Sequence, residues 1–293
     1  EILEDINAGH NIVSTVFIEC GSMYRASGAE AMRVVGETEF VNGIAAMSAS
    51  GAYGPCRVAA GIVGTADLKL GSAVCEVLDA HIQAGGGRFR GIRHQGTWDA
   101  SDEVPNGRRG PVEHEFAQDS FRKGFAELAP RRLSFEAWCY HPQIADVTDL
   151  ARAFPDTVII FDHFGGPLGI GPYAGQREEI FTRWKQDVAA LAECRNVYAK
   201  LGGLVMPING FGFHKQGTPP TSDGIVAVTA PYYRHAIECF GAERCMFESN
   251  FPVDKQSCSY PVLWNAFKKL VADASDTEKQ WLFHDSACAA YRI

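Results

Sequence analysis

The segment at residues 158–167, VIIFDHFGGP, constrains the fold more than any other part of the chain. A run of residues typical of a buried strand ends in Asp162 and His163, and two glycines follow shortly after. In folds built on parallel strands, active sites form at the carboxyl ends of the strands. The segment therefore predicts a strand that delivers an imidazole to such an end. The alternative is that Asp162 caps a loop and His163 is a buried structural histidine.

Apolar runs of strand length alternate with segments of helical periodicity, a pattern typical of repeated βα units and a parallel sheet. The predicted strands are residues 14–20, 58–64, 89–95, 133–140, 158–163, 197–201 and 245–250. The predicted helices are residues 37–47, 73–84, 119–128, 144–154, 176–194, 232–240 and 260–272, and a last helix enters through the capping sequence that begins at Ser275. No linker or repeat divides residues 1–293, so we expect a single domain.

Residues 1–8 read as the tail of a helix that no strand precedes, and we therefore expect that a first βα unit is missing from this chain. Seven predicted strands and one missing strand favour an α/β fold of the (β/α)8 TIM-barrel type over an open doubly wound sheet. Polar residues support this choice because they follow many of the strands, whereas no G-x-G-x-x-G or Walker sequence follows any of them.

The charge and the cysteine content limit the expected binding partners and the expected cellular compartment. A formal net charge of −8 argues against a nucleic-acid or anionic-membrane partner, and no segment has the length and apolarity of a membrane span, so we expect a soluble protein. Nine scattered cysteines, an odd number without a metal-binding spacing, favour a reducing cytoplasm. The sequence leaves the oligomeric state open, a homo-oligomer included.

Five motifs, taken in order, resemble the amidohydrolase superfamily. They are GIRH at 91–94, DHFGGP at 162–167, KLGGL at 200–204, FESNFPVDK at 247–255 and FHDSACAAYRI at 283–293. The likeness is to the amidohydrolase 2 branch, which contains 2-pyrone-4,6-dicarboxylate lactonase. It implies a barrel hydrolase that opens lactones, esters or amides with water. In that family the first strand supplies a His-x-His pair, a later strand supplies a histidine, and the last strand supplies an aspartate that activates water.

The resemblance assigns roles to three residues. His163 matches the later-strand histidine, which implies a metal ligand or a group that polarises the substrate carbonyl. Arg93 matches an arginine that binds a substrate carboxylate, and Lys200 lies in the K-x-G-G turn of the family's seventh strand. Arg93 and Lys200 together predict a small anionic organic substrate, since arginine suits bidentate recognition of a carboxylate.

Two departures from the family concern the machinery that activates water. No His-x-His occurs in the chain, and Asn250 stands where the family has aspartate. An amide is no general base at neutral pH, so three interpretations stay open. Glu248 acts as base from a deeper layer, Asp254 acts from the following loop, or Asn250 orients a water that a metal or a missing histidine activates. Glu248 in a buried ion pair and Asp254 as a loop cap are the structural alternatives.

Further candidates for substrate contacts follow from strand alternation. Trp138 and Tyr140 share a face with Glu136, and each is either a substrate contact or a core residue with one satisfied polar tip. His94 is one residue out of step with Arg93 and ranks below it. Two long connections, residues 97–116 and 204–231, are predicted to form lids over the same mouth.

The predicted activity is hydrolysis of a lactone or ester, or of an amide, in a small substrate that bears a carboxylate. The requirement for a divalent metal such as zinc is left open. Catalytic zinc normally has three protein ligands and His163 is one, so we expect residues 1–293 alone to bind metal weakly and to be inactive. The alternatives are a decarboxylase of an aromatic or unsaturated acid and a catalytically inactive barrel that serves as a binding subunit.

Overall fold

A sheet of seven parallel strands forms the centre of the computed structural model, which describes residues Glu1–Ile293. The strands are β1 (Ser14–Ile18), β2 (Arg57–Gly64), β3 (Phe89–Arg93), β4 (Ser134–Ala137), β5 (Ile159–Phe161), β6 (Val197–Leu201) and β7 (Cys245–Phe247). They pair in chain order from β1 to β7. All seven predicted strands are confirmed, and five of them end two or three residues earlier than predicted because their last polar residues leave the ladder.

Helices connect the strands. They are α1 (Ile2–Ile6), α2 (Val35–Ala49), α3 (Cys75–Ala84), α4 (Asp119–Phe125), α5 (Ile144–Ala153), α6 (Arg177–Ala192), α7 (Ser222–Phe240), α8 (Tyr260–Leu270), α9 (Asp276–Gln280) and α10 (Ser286–Tyr291), and a π-helical turn at Trp281–Asp285 separates the last two. The predicted capping box is confirmed, since the Ser275 and Glu278 side chains each accept from the other's backbone N–H. No helix is long and apolar enough to cross a membrane.

The predicted start of α7 was wrong. The helix begins at Ser222, ten residues before the predicted start at residue 232, because Thr221 caps it by accepting a hydrogen bond of 3.1 Å from the N–H of Gly224. Pro231 lies inside the helix instead of ending the preceding loop. The predicted lid at residues 204–231 is therefore shorter than expected.

The sheet curls into part of a barrel. β1 and β7 are its two edges, and no ladder joins them, so the predicted closed eight-stranded barrel is present only as a curled seven-stranded sheet. An eighth βα unit stays a prediction. The convex face carries the main core, whose largest buried side chains include Trp184, Phe121 and Phe135. A separate small cluster fills the concave face; it comprises Val63, Ile160, Met246, Ala290 and Tyr291.

Close packing between α4 and the loop after β2 depends on Gly124. A Cβ at this position would lie 2.1 Å from the backbone oxygen of Leu68. Gly124→Ala is therefore expected to lower the free energy of unfolding by about 1–3 kcal/mol, because the backbone must shift to relieve the overlap. Denaturant unfolding measures the change.

Gly43→Ala is the matched control. Gly43 also lies within a helix, α2, and no atom lies within 4 Å of the position of its added Cβ. Alanine should stabilise that helix by up to about 1 kcal/mol. Equal effects of the two substitutions would contradict the packing described for Gly124.

Candidate active site

Charged side chains from neighbouring strands meet on the concave face of the sheet. Lys200, on β6, is at their centre and is only 3% exposed. Its Nζ contacts Glu136 of β4 closely and lies 2.8 Å from Oδ1 of Asp162 and 3.8 Å from Oε2 of Glu248. Burial disfavours a charged ammonium, but Asp162 and Glu136 outweigh it and raise the pKa of Lys200 well above its ordinary value. Lys200 is therefore charged and fixed by its three carboxyl partners.

Arg93 is the second buried cation of this cluster. Its Nε donates to Oε1 of Glu19 at 2.8 Å, and its Nη1 lies 3.8 Å from Oδ2 of Asp162. Gln95 donates to the same Glu19 oxygen at 3.1 Å. Sequence analysis missed Glu19, although an acidic residue at the end of the apolar run Phe17–Cys20 was a usable signal. Arg93 thus lies between two carboxylates, and 14% of its side chain stays exposed.

The pKa values of two carboxyl groups beside Lys200 are shifted in opposite directions. Burial, with the charge of Asp162, raises the pKa of Glu136 well above its ordinary range. Burial also opposes ionisation of Asp162, but Lys200, His163 and Arg93 outweigh it and keep the pKa of that carboxyl below its ordinary value. Burial thus favours the protonated form of Glu136, whereas the neighbouring cations favour the ionised form of Asp162.

His163 lies where the sequence predicts, directly after β5. Its backbone is left-handed, with φ of +52°, a strained conformation that is found preferentially at functional sites. Nδ1 contacts Oε1 of Glu248, and the ring meets Trp138 edge to face at 4.8 Å between centroids. The contact between Nδ1 and Glu248 is poorly aligned as a hydrogen bond, which is common before substrate binds. Nε2 forms no hydrogen bond with the protein and, unlike Nδ1, is not fully buried.

The second glycine of the K-x-G-G turn leaves room for this imidazole. A Cβ on Gly203 would lie 2.8 Å from Nδ1 of His163, and the residue has φ of +80°. Any other residue at this position would be strained and would also displace the ring. The turn after β6 therefore determines where His163 sits.

Asn250 and Asp254 form a pair of their own in the turn after β7. Nδ2 of Asn250 donates to Oδ1 of Asp254 at 2.9 Å. Asp254 is fully buried, and burial, with the charge of Glu248, raises the pKa of this carboxyl well above its ordinary value. Burial therefore favours the protonated form of Asp254, whereas Glu248 contacts both His163 and Lys200.

Tyr140 and His94, two predicted substrate contacts, are placed apart from this cluster. The Tyr140 hydroxyl donates to the backbone oxygen of Pro105 and so fastens the loop of residues 97–116. That loop is also held by a 2.7 Å hydrogen bond from the Tyr173 hydroxyl to Asp99. His94 is buried on the opposite face of β3, and its Nε2 lies 3.1 Å from Oε1 of Glu115 at the end of the same loop.

The residues present do not fit a catalytic zinc site. No group of three or more histidine, cysteine, aspartate or glutamate side chains is arranged to hold a metal ion, and His163 and Glu248 are directed at each other. Catalytic zinc normally has three protein ligands.

Comparisons with known proteins agree with this architecture. The sequence model of the family described as Amidohydrolase matches residues 19–293. An uncharacterized protein of Sinorhizobium fredii, y4mH, is 34% identical over 300 residues, which cover 100% of this chain and 86% of that protein. An L-fucono-1,5-lactonase of Burkholderia ambifaria is 25% identical over 80% of this chain and 71% of its own length.

A solved structure shares the fold. An amidohydrolase of Burkholderia multivorans, crystallised with bound zinc, superposes with a TM-score of 0.70 at 22% identity, over 88% of this chain and 79% of that one. The chain belongs to the amidohydrolase family, as its motifs indicated.

Glu115 is expected to anchor the loop of residues 97–116 through His94 and Lys69. Burial opposes its ionisation, but His94, the N–H of Val112 and Lys69 outweigh it and lower the pKa of Glu115 to about 2. A lowered carboxyl pKa stabilises the fold above the unfolded value near 4.5, and this stability is lost as pH falls toward 2. Glu115→Gln should therefore cost about 3 kcal/mol at neutral pH.

Urea unfolding of both proteins between about pH 7 and about pH 3 measures this difference, which should shrink as the wild-type carboxylate takes up its proton. Glu113→Gln is the control, since that side chain is exposed. If the difference in the free energy of unfolding between Glu115→Gln and the wild type stays constant down to the lowest pH, the lowered pKa of Glu115 is wrong.

Proposed function

We propose that this protein is a hydrolase that uses an activated water to open a lactone or ester bond in a small substrate bearing a carboxylate. The observation that carries the proposal is the contact between His163 and Glu248 at the carboxyl end of the sheet, beside the buried cations Lys200 and Arg93. A carboxylate next to one nitrogen of an imidazole fixes the tautomer and leaves the other nitrogen able to take a proton. The lactonase name of a relative supports the same reaction class.

The proposed reaction needs only water and the substrate. Glu248 accepts a hydrogen bond from Nδ1–H of His163, so that Nε2 carries the free lone pair. Nε2 removes a proton from water, and the resulting hydroxide forms a bond to the carbonyl carbon. The ring C–O bond of the resulting tetrahedral species then breaks. The leaving alkoxide takes the proton back from Nε2, and the product is the open-chain hydroxy acid.

Binding of the substrate carboxylate is assigned to Arg93 in preference to Lys200. The Arg93 side chain is 14% exposed, whereas the Lys200 side chain is 4% exposed and is surrounded by acidic groups. Trp138 packs against His163 and is only partly buried, which supports a contact with the substrate ring. The anionic substrate, a cytoplasmic location and a homo-oligomeric state all stay predictions.

An assay with matched lactones tests the reaction. The product of the complete reading frame that contains these residues is given pairs of lactones that differ only in a carboxylate group. We expect proton release with ring opening, and a lower KM for the member of each pair that bears the carboxylate. Carbon dioxide release without ring opening would instead support the decarboxylase alternative. Ligand binding without turnover would support a catalytically inactive binding protein.

The choice of Glu248 over Asp254 makes a separate prediction. Glu248→Gln should lower kcat by about 100-fold or more, because the neutral amide supplies no negative charge to stabilise the imidazolium that forms when Nε2 of His163 takes a proton from water. Asp254→Asn should retain activity within about tenfold, because burial already favours the uncharged form of this carboxyl and an amide resembles it in shape. Steady-state kinetics on folded, circular-dichroism-checked proteins measures both. A loss at Asp254 as large as that at Glu248 would contradict the assignment of Glu248 as the only carboxylate that supports His163.

A further inference from the structure

We propose that Tyr291 of α10 is a positioning residue for the active site, acting through Glu136 and Lys200 on Glu248 and His163. This inference rests on the proposed function for its kinetic consequences, whereas its structural part does not. Tyr291 is 155 residues distant from Glu136 in the sequence, yet its hydroxyl donates to Oε1 of Glu136 at 2.6 Å.

The ring of Tyr291 is fixed on the concave face of the sheet. It is 2% exposed and packs in the cluster with Val63 of β2, Ile160 of β5 and Met246 of β7. These strands come from both halves of the sheet, so α10 bridges them. The hydroxyl has little freedom to move because the ring is packed on several sides.

Both oxygens of Glu136 are engaged, one by Tyr291 and the other by Lys200. Glu136 is fully buried, so removal of the phenol hydroxyl leaves one carboxyl oxygen without a partner, at a cost in free energy. A rotation of the carboxyl toward another partner would change its contact with Lys200. Tyr291 therefore determines where Glu136 holds the ammonium.

Lys200 transmits the effect to the reacting groups. Its Nζ lies between Asp162 and Glu248, and Glu248 contacts Nδ1 of His163. A shift of Lys200 changes the charge next to Glu248 and so the contact between Glu248 and Nδ1 that favours one tautomer of His163. None of these steps requires Tyr291 to touch the substrate.

A second contact links the same carboxyl-terminal segment to β7. Phe283, in the π-helical turn before α10, packs against Phe247 at 4.8 Å between ring centroids. Phe247 ends β7 and directly precedes Glu248. π-helical turns occur often at functional sites. The segment that carries Tyr291 therefore supports Glu248 from two directions.

Tyr291→Phe tests the proposal because it keeps the packed ring and removes only the hydroxyl. We expect kcat to fall about tenfold, with KM changed less than about twofold, since the substitution alters positioning and not binding. Glu136→Gln should also lower kcat. The double variant with Tyr291→Phe should lose no more kcat than Glu136→Gln alone, because both substitutions act on one contact. Tyr232→Phe is the matched control, a buried tyrosine packed on Phe181 and Trp184 in the helix layer, and it should leave kcat unchanged.

A spectroscopic readout separates this inference from the proposed reaction. ¹⁵N NMR of ring-labelled histidines, with His163 assigned through His163→Gln, reports the tautomer of His163 at one fixed pH. Nδ1–H should predominate in the wild type and in Tyr232→Phe, and Tyr291→Phe should shift the His163 signals alone. If Tyr291→Phe shifts the His163 signals but the wild type does not hydrolyse lactones, the positioning role stands and the hydrolase assignment is wrong. Unchanged His163 signals and unchanged kcat in Tyr291→Phe overturn the inference.

Discussion

The rest of the site depends on one buried ammonium, that of Lys200. A charged group inside a protein is costly unless opposite charges and hydrogen bonds surround it, and here Asp162, Glu136 and Glu248 do so. These partners come from β4 and from the ends of β5 and β7. The pairing therefore fixes three neighbouring elements relative to β6, and it places Glu248 where it meets His163. Removing Lys200 would leave several acidic groups buried together.

Alternation along the strands organises this cluster in two sets. One set lies at the ends of the odd-numbered strands. Arg93 ends β3, and Glu19, Asp162 and Glu248 directly follow β1, β5 and β7. The other set comes from β4 and β6 and comprises Glu136 and Lys200. Contributions from alternate strands are the packing rule of barrel interiors. A partly closed sheet thus already carries barrel-like layers, with charged groups where many barrels have aliphatic ones.

The elements could be predicted from the sequence better than the contacts could. Seven apolar runs predicted seven strands because burial on both faces leaves a local pattern, and DHFGGP predicted the position of His163. The start of α7 was missed because Pro231 reads locally as a loop residue. Glu19 and Tyr291 were missed for another reason: their partners, Arg93 and Glu136, lie 74 and 155 residues away. No window of sequence contains such a pair.

The order of the strands has a consequence for how this chain reaches its native state. Because every strand pairs with the next one in the chain, the sheet can form from neighbouring segments. The polar contacts form later, because the partner of Arg93 is Asp162 and the partners of Glu136 are Lys200 and Tyr291, all distant in the sequence. A half-grown sheet would bury an ion before its counterion arrives, so water must stay in the concavity until late. We therefore expect water to leave the concave face of the sheet when α10 docks on it, in a single late step of folding.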